Sequence, residues 1–326
     1  MTELKYPLFD GERLWDGATV TVEDGRILSV TACDPAECDE GLLIPGLIDA
    51  HTHMGTRAHI EAMLKAGITA TCDVSASAEL AEHSDKLDII RSAGMAMGVV
   101  MNPKGYVEKA AANGARYIKV LLFNTLSIGK AALKGIVKAA HEKNLKVAVH
   151  ATEISTYRQA VEAGADILLH VPMKEKFPEE LAKTIAEKGI AVAPTLVMME
   201  AFARSGRNGY EANHYQNAEN AVRLLHESGV KILAATDANP GSFAPAVGYG
   251  DTLHYEMKLL ANAGLSDTEV LAAATGNVAD AFGLTEIGRI VPGKLANLLL
   301  LEGRPDRCIT DIRKIKKLWI NGKSII

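Results

Sequence analysis

Hydrophobic and polar positions along the chain follow two alternating patterns. Short apolar runs without polar interruption are typical of strands buried on both faces of a parallel sheet. Between them lie stretches with apolar residues at helical spacing, and most of these end at a glycine or asparagine, a common helix stop. The apolar runs predict strands over residues 41–53, 68–74, 95–101, 117–122, 146–150, 166–170, 190–196 and 230–237.

Strands that alternate with helices in this way place the chain in the α/β class. They predict a (β/α)8 TIM barrel over residues 45–286, and a doubly wound parallel sheet is the alternative that the pattern leaves open. Both ends of the chain instead contain short strand-like segments broken by turns, including an Asp24-Gly25 pair that favours a hairpin. We therefore expect residues 1–44 and 287–326 to form one small composite β-sandwich domain.

Side chains that can bind metal stand at the ends of the predicted strands. His51 and His53 end the first strand two residues apart, which places both rings on one side of it. His150, His170 and Asp237 end the fifth, sixth and eighth strands, and in a barrel these ends meet at one rim. A lone histidine there is more often a hydrogen-bonded structural residue, but this set favours a divalent-metal site.

Lys119 lies inside the apolar run of the fourth predicted strand. A buried ammonium group without a partner is costly, so this lysine needs an explanation. One explanation is that its aliphatic stem packs among apolar neighbours while the amine reaches the rim. The pattern of residues alone does not decide the role of the amine.

Composition narrows the class of protein. With 48% hydrophobic and 23% charged residues, the chain has the composition of a globular protein. The net charge is −5 and no lysine- and arginine-rich run occurs, so we expect neither nucleic acid nor a membrane as partner. The first residues lack the apolar core of a signal peptide, and the four cysteines are scattered. We expect a cytoplasmic protein acting on a small molecule, with the β-rich ends and outer helices as surfaces for a homo-oligomer.

Several motifs, in order along almost the whole chain, resemble a known group of enzymes. The motifs are residues 45–53 (PGLIDAHTH), 114–120 (GARYIKV), 139–141 (AAH), 147–151 (VAVHA), 163–170 (AGADILLH), 189–196 (GIAVAPTL), 236–237 (TD), 274–277 (ATGN) and 288–297 (GRIVPGKLAN). With these motifs the chain resembles the amidohydrolase superfamily and, within it, the imidazolonepropionase-related, Xaa-Pro dipeptidase-like branch.

The resemblance implies a site with two divalent metal ions, usually zinc. It implies that Lys119 is carboxylated by carbon dioxide to a carbamate that bridges both ions. His51, His53 and Asp237 would complete the more buried ion site, and the ligands of the other would be His150 and His170. A bridging hydroxide would then attack a carbonyl group, while Asp237 as the catalytic residue would carry the proton to the leaving amine.

The expected reaction is hydrolysis of an amide-type C–N bond in a dipeptide, N-acyl amino acid, lactam or carbamate, and an ester or lactone is also compatible. The loop after His53 is shorter than in relatives, so it leaves the choice of substrate open. Candidate substrate-binding residues near the rim are Arg57, His59, Asn124 and His254.

Two other functions fit parts of the sequence. One is a deaminase or cyclic-amidine hydrolase with a single metal ion, because His150 and Glu153 have the HxxE spacing in which the glutamate shuttles protons. The other is a non-catalytic barrel scaffold, although such proteins typically lose metal ligands and none is missing here. The metal content distinguishes the three functions: two, one or no ions per chain.

Overall fold

The computed structural model describes residues 1–82, 84, 86–123, 128–242 and 244–325. The strands in these parts are β1 (Thr2–Phe9), β2 (Leu14–Glu23), β3 (Arg26–Ala32), β4 (Leu42–Pro45), β5 (Leu47–Thr52), β6 (Ile68–Asp73), β7 (Asp88–Arg91), β8 (Met95–Ala96), β9 (Tyr117–Leu121), β10 (Lys146–His150), β11 (Ile167–Leu169), β12 (Ala191–Ala193), β13 (Leu298–Leu301), β14 (Ile315–Ile320) and β15 (Lys323–Ser324). The α-helices are α1 (Arg57–Lys65), α2 (Ala78–Glu82), α3 (Pro103–Ala112), α4 (Lys130–His141), α5 (Ile154–Ala163), α6 (Glu179–Glu187), α7 (Leu196–Ser205), α8 (His214–Glu227), α9 (Asp251–Asn262), α10 (Asp267–Ala273) and α11 (Gly276–Phe282).

The two ends of the chain pair with each other, as expected. Their strands form one seven-stranded sheet in the order β15-β14-β13-β4-β1-β2-β3. The predicted hairpin joins β2 to β3, and its turn residues Asp24 and Gly25 have φ angles of 48° and 80°. Such positive angles match the twist of the flanking strands. The expected β-domain therefore takes the form of a single sheet, and its boundaries at residues 44 and 287 stay a prediction.

The middle of the chain forms parallel strands with helices between them. They lie in a sheet ordered β5-β6-β7 and a sheet ordered β12-β11-β10-β9-β8. Residues 231–238 run between the two: Val192 N donates to Lys231 O at 3.0 Å, and Ala50 N donates to Ala234 O at 3.0 Å. The strand order is that of a (β/α)8 barrel, so the predicted fold class is confirmed. The carboxyl ends of these strands share one edge, which positions the site described below.

The third strand of the barrel is not where the pattern places it. The spacing of apolar residues between the second and third predicted strands favours a helix over residues 78–92, but residues 88–91 form β7 instead. Two β-branched residues, Ile89 and Ile90, are buried there against β6, and this pairing outweighs the helical spacing. Of the predicted strand over 95–101, only β8 forms, and Met101 is 89% exposed.

Packing is tight where the terminal sheet passes into the barrel. Gly46 lies between β4 and β5, and a Cβ atom there would come within 2.4 Å of the side chain of Thr69. Thr69 is itself buried, so it has little room to move. None of the described helices combines the length and apolar character needed to cross a lipid bilayer.

Candidate metal centre

Two predicted histidine ligands lie next to one carboxylate oxygen of a third predicted ligand, Asp237. Nε2 of His51 lies 3.3 Å from Oδ1 of Asp237, and Nε2 of His53 lies 3.1 Å from the same atom. His51 is in β5, His53 follows the end of that strand, and Asp237 lies in the neighbouring segment that bridges the two barrel sheets. Parallel neighbours with aligned ends explain why residues so distant in sequence converge here.

The remaining histidines extend the cluster. The ring centroid of His170 lies 5.6 Å from that of His51 and 4.5 Å from that of His150. One ligand atom from each of His51, His170 and Asp237 lies within 4.8 Å of the others. Two ligand atoms on one tetrahedral ion, with bonds of ~2.0–2.2 Å, lie about 3.5 Å apart. The donor types and their spacing therefore fit a divalent ion.

The backbone at three successive strand ends takes an unusual conformation. His170, Thr195 and Asp237 have φ angles of 70°, 49° and 55°. Left-handed backbone is unfavourable for residues with a side chain, and it persists only where surrounding contacts enforce it. His170 directly follows β11, Thr195 lies two residues after β12, and Asp237 lies in the bridging segment 231–238, so left-handed backbone recurs around this part of the rim.

Hydroxyl groups orient two of the rings. Nδ1 of His53 lies 2.8 Å from Oγ of Ser75, and Nδ1 of His170 lies 2.8 Å from Oγ1 of Thr195. Both contacts leave Nε2 free to face the cluster, the arrangement that metal-binding histidines commonly show. For His51, the buried Nδ1 has no hydrogen-bond partner among the described residues.

Burial controls the charge of the cluster. It lowers the pKa of His51 and of His170 well below the ordinary range, and the neighbouring cationic groups add to this effect. Burial, followed by the proximity of Lys119 and His53, lowers the pKa of His150 to about 3. These histidines are therefore neutral at pH 7, which is the form that binds metal.

The lysine predicted inside a strand is indeed buried. Lys119 lies in β9 with 1% of its surface exposed, and its Nζ is 3.2 Å from Nε2 of His51. Burial lowers its pKa to about 7, against a smaller opposite effect of Asp237. Among the described residues, no carboxylate lies within ion-pair distance of its Nζ. Its amine thus faces the cluster without a compensating anion.

The predicted substrate-binding residues have mixed locations. Arg57 is exposed at the start of α1, and the ring of His59 stacks on Tyr249 with centroids 3.8 Å apart. His254 is not brought to the cluster: it is buried in α9, and its Nε2 donates to the carbonyl of Ala66 at the end of α1 at 2.8 Å. Asn124 lies outside the described residues.

Two buried aspartates next to the predicted ligands, Asp49 and Asp73, are residues that sequence reasoning missed. Asp49 Oδ1 accepts from the backbone N of His51 at 3.2 Å and of Thr236 at 3.0 Å, which ties together the segments carrying two predicted ligands. Glu256 in α9 is also buried, and it accepts from the first two backbone N atoms of α7. Asp73 accepts from the backbone N of Met54, the residue after His53. The available signal was a carboxylate inside or directly after an apolar run.

Comparison with known proteins defines the class. Residues 42–325 match the sequence profile of the amidohydrolase family. An imidazolonepropionase of Idiomarina loihiensis is 26% identical over 399 aligned positions, covering 96% of this chain and 93% of that protein. The crystal structure of a Xaa-Pro dipeptidase with bound methionine has a TM-score of 0.84 at 19% identity, over 99% of this chain and 98% of that chain. The structure of A. niger ochratoxinase has a TM-score of 0.81 at 19% identity, covering 99% and 96%.

The match to the family profile covers most of the chain, and the two structures share its fold. The chain therefore belongs to the amidohydrolase family. It is a hydrolase acting on carbon–nitrogen bonds, and the hypothesis of a non-catalytic scaffold is set aside.

Proposed function

We propose that the chain is a metal-dependent amidohydrolase that holds two divalent ions, with zinc as the first choice. His51, His53 and Asp237 would bind the more buried ion, and His150 and His170 the second. The observation that carries the proposal is the convergence of two imidazole Nε2 atoms on one oxygen of Asp237, at 3.3 and 3.1 Å. Imidazole nitrogens next to a carboxylate are ligands that zinc prefers.

Lys119 would be shared between the two ion sites as a carbamate. Its neutral Nζ adds to the carbon of carbon dioxide and loses one proton, which converts the amine into an anionic group with two oxygens. The buried position of the amine beside His51, without an ion-paired carboxylate among the described residues, supports this modification. The positive charge of two bound ions would offset the cost of burying that anion.

In the proposed reaction, each residue has a definite task. The bound ions would supply Lewis-acid chemistry by activating a water molecule and polarising the carbonyl of the substrate. Asp237 would accept the proton of the attacking water on its carboxylate and deliver it to the leaving nitrogen. Asp237 is 8% exposed, so its carboxylate can reach substrate while it is largely shielded from bulk water.

The substrate would be a small molecule with an amide-type bond: a dipeptide, an N-acyl amino acid, a lactam or a carbamate. Relatives named imidazolonepropionase and a structure described as a Xaa-Pro dipeptidase make cyclic amides and dipeptides the first compounds to screen. Arg57 and His59, exposed or half-buried after β5, are candidates for binding a substrate carboxylate. Esters and lactones complete the screen.

The experiment that tests the proposal is elemental analysis of protein purified without chelator. We expect about two zinc ions per chain, falling to one or fewer in Lys119→Ala. Lys130→Ala is the matched control, because Lys130 is a surface lysine paired with Glu162 at 3.3 Å, and it should retain both ions. Two ions in Lys119→Ala would contradict a shared role for the lysine, and a metal-free wild type would contradict the whole proposal.

A second candidate is an enzyme with a single metal ion that uses Glu153 as proton shuttle. The full-length similarity to imidazolonepropionase and the spacing of His150 and Glu153 favour it. Against it stands Lys119, whose Nζ lies 3.2 Å from Nε2 of His51 at the cluster. The hydrogen bonds of Glu153 with Thr156 involve its backbone N and its backbone carbonyl. One ion per chain, unchanged in Lys119→Ala, together with loss of activity in Glu153→Gln, would establish this candidate.

A further inference from the structure

His53 is a proposed ligand that lies outside the strands of the barrel. Strand β5 ends at Thr52, so His53 lies one residue beyond the sheet. Its side chain is 27% exposed, whereas that of His51 is 2% exposed. Packing therefore fixes the ring of His51 but leaves the ring of His53 to be positioned by its neighbours in the loops.

The carboxylate of Asp73, at the end of the adjacent strand β6, accepts hydrogen bonds from residues on both sides of His53 and from the loop after β6. Its Oδ2 accepts from Thr52 Oγ1 at 2.7 Å and from Met54 N at 2.6 Å, the residues on either side of His53. Its Oδ1 accepts from Ser75 N at 2.8 Å and from Ala76 N at 2.5 Å. One side chain thus connects the loop after β5 to the loop after β6.

The second loop acts on the ring itself. Ser75, whose backbone N is held by Asp73, places its Oγ 2.8 Å from Nδ1 of His53. This contact fixes the rotation of the imidazole and leaves Nε2 directed at Asp237, 3.1 Å away. Asp73 therefore constrains His53 through two routes, one along its backbone and one through its ring.

The hydrogen-bond acceptor positions of the Asp73 carboxylate are all occupied. It is fully buried, and its two oxygens together accept four hydrogen bonds. A carboxylate saturated in this way is not available as a metal ligand or as a proton carrier. Its contacts serve geometry alone.

We infer that Asp73 is the positioning residue for His53, acting on the backbone through Thr52 and Met54 and on the ring through Ser75. This inference rests on the proposed role of His53 as a metal ligand. Partners that orient a ligand typically contribute about 10- to 100-fold to metal affinity. In Asp73→Asn, the amide NH2 group would replace one acceptor oxygen and oppose N–H or O–H donors, so two of the four contacts would be lost.

The test is a titration of chelator-treated protein with Co²⁺, followed by its visible absorption and by competition with a chelator. We expect Asp73→Asn to bind Co²⁺ about 10- to 100-fold more weakly than the wild type. The matched control is Asp10→Asn, because Asp10 is a buried carboxylate that accepts from Glu12 N at 3.0 Å and Arg13 N at 2.9 Å, but in the terminal sheet. Its variant should bind Co²⁺ like the wild type. Equal affinity of Asp73→Asn and the wild type, or an equal loss in both aspartate variants, would overturn the inference.

A second pair of variants decides the matter if Asp73→Asn does not fold. Ser75 is exposed, so Ser75→Ala removes the contact with the ring at little cost to the fold. We expect weaker Co²⁺ binding in Ser75→Ala and recovery in Ser75→Thr, which restores the hydroxyl. Unchanged affinity in Ser75→Ala would then refute the inference.

Failure of the proposed function gives a different result. A wild type that binds no Co²⁺ contradicts the proposed function, and the positioning is then measured in the metal-free protein by hydrogen exchange. We expect the amide of Met54 to exchange at least tenfold faster in Asp73→Asn than in the wild type or Asp10→Asn. Equal rates in all three proteins would show that Asp73 does not hold this loop.

Discussion

Glu256 offers a test of how burial controls charge in this barrel, away from the proposed ligands. It lies fully buried in α9, and its two oxygens accept from Leu196 N at 2.9 Å and Val197 N at 2.7 Å at the start of α7. Burial raises the pKa of Glu256 from 4.5 to about 8, although both backbone contacts oppose this change. The perturbation we consider is Glu256→Gln, which removes the ionisation and keeps the shape.

The magnitude follows from the linkage between protonation and folding. A pKa of about 8 in the folded state against 4.5 in the unfolded state corresponds to about 5 kcal/mol. Because the folded pKa is the higher one, this stabilisation is complete below pH 4.5 and is lost as the pH rises to about 8. The glutamine variant lacks this dependence. Below pH 4.5 it should be less stable by about 1–3 kcal/mol, since its NH2 group opposes one backbone N–H donor.

The free energies of unfolding of the two proteins should therefore converge and cross as the pH rises. The crossing is expected about one to two pH units above 4.5, and at pH 9 the variant should be the more stable protein by about 2–4 kcal/mol. The assay is urea unfolding at five pH values between 5 and 9, followed by far-UV circular dichroism. Tryptophan fluorescence is unsuitable because Trp15 and Trp319 both lie in the terminal sheet.

Both proteins are treated with chelator beforehand, so that loss of metal at low pH does not contribute to the difference. Other titrating groups are common to both proteins, and their contributions cancel. Parallel curves at all pH values would refute the reasoning, because they would mean that Glu256 has the same pKa in the folded and unfolded states. A variant that loses stability relative to the wild type with rising pH would reverse the predicted sign.

Three further predictions follow from contacts at the rim and in the core. Thr195→Val removes the hydroxyl next to His170 Nδ1 and should weaken Co²⁺ binding about tenfold or more, while Thr195→Ser should not, as a chelator competition would show. Gly46→Ala forces a Cβ atom to within 2.4 Å of a buried threonine and should cost about 1–3 kcal/mol in urea unfolding, whereas Gly55→Ala, with open space around it, should be neutral. His254→Leu leaves the carbonyl of Ala66 at the end of α1 without its donor and should lower the free energy of unfolding by about 1–3 kcal/mol without changing KM. A raised KM would instead indicate that His254 contacts the substrate.

Most of the fold could be predicted from local patterns. Unbroken apolar runs identified β5, β6, β9 and β10, since strands buried on both faces need apolar residues on both sides. The hairpin at Asp24-Gly25 was equally clear, because its turn requires residues that tolerate positive φ angles. The predicted metal ligands stay a prediction, but their side chains lie in one cluster. The predicted substrate-binding residues do not all lie near it.

The errors occurred where long-range packing outweighs local preference. Residues 88–91 have a helical pattern of apolar positions, yet they form β7 because β6 and the backbone N of Arg116 offer them hydrogen-bond partners. His254 has the polarity of a binding residue, but the end of α1 lies against it and the carbonyl of Ala66 accepts its hydrogen bond. Neither neighbour can be recognised from the sequence around the residue concerned.

By itself, the sequence determined the barrel, most of its strand ends and the chemical types of the side chains at the rim, because these depend on local periodicity and on residue identity. Only the tertiary structure decided how those side chains are held. Asp49 and Thr236 are 187 residues apart, yet their contact joins the segments of His51 and Asp237. A carboxylate finds its donors through the register of neighbouring strands and the closure of loops, and these are set by the packing of the whole barrel.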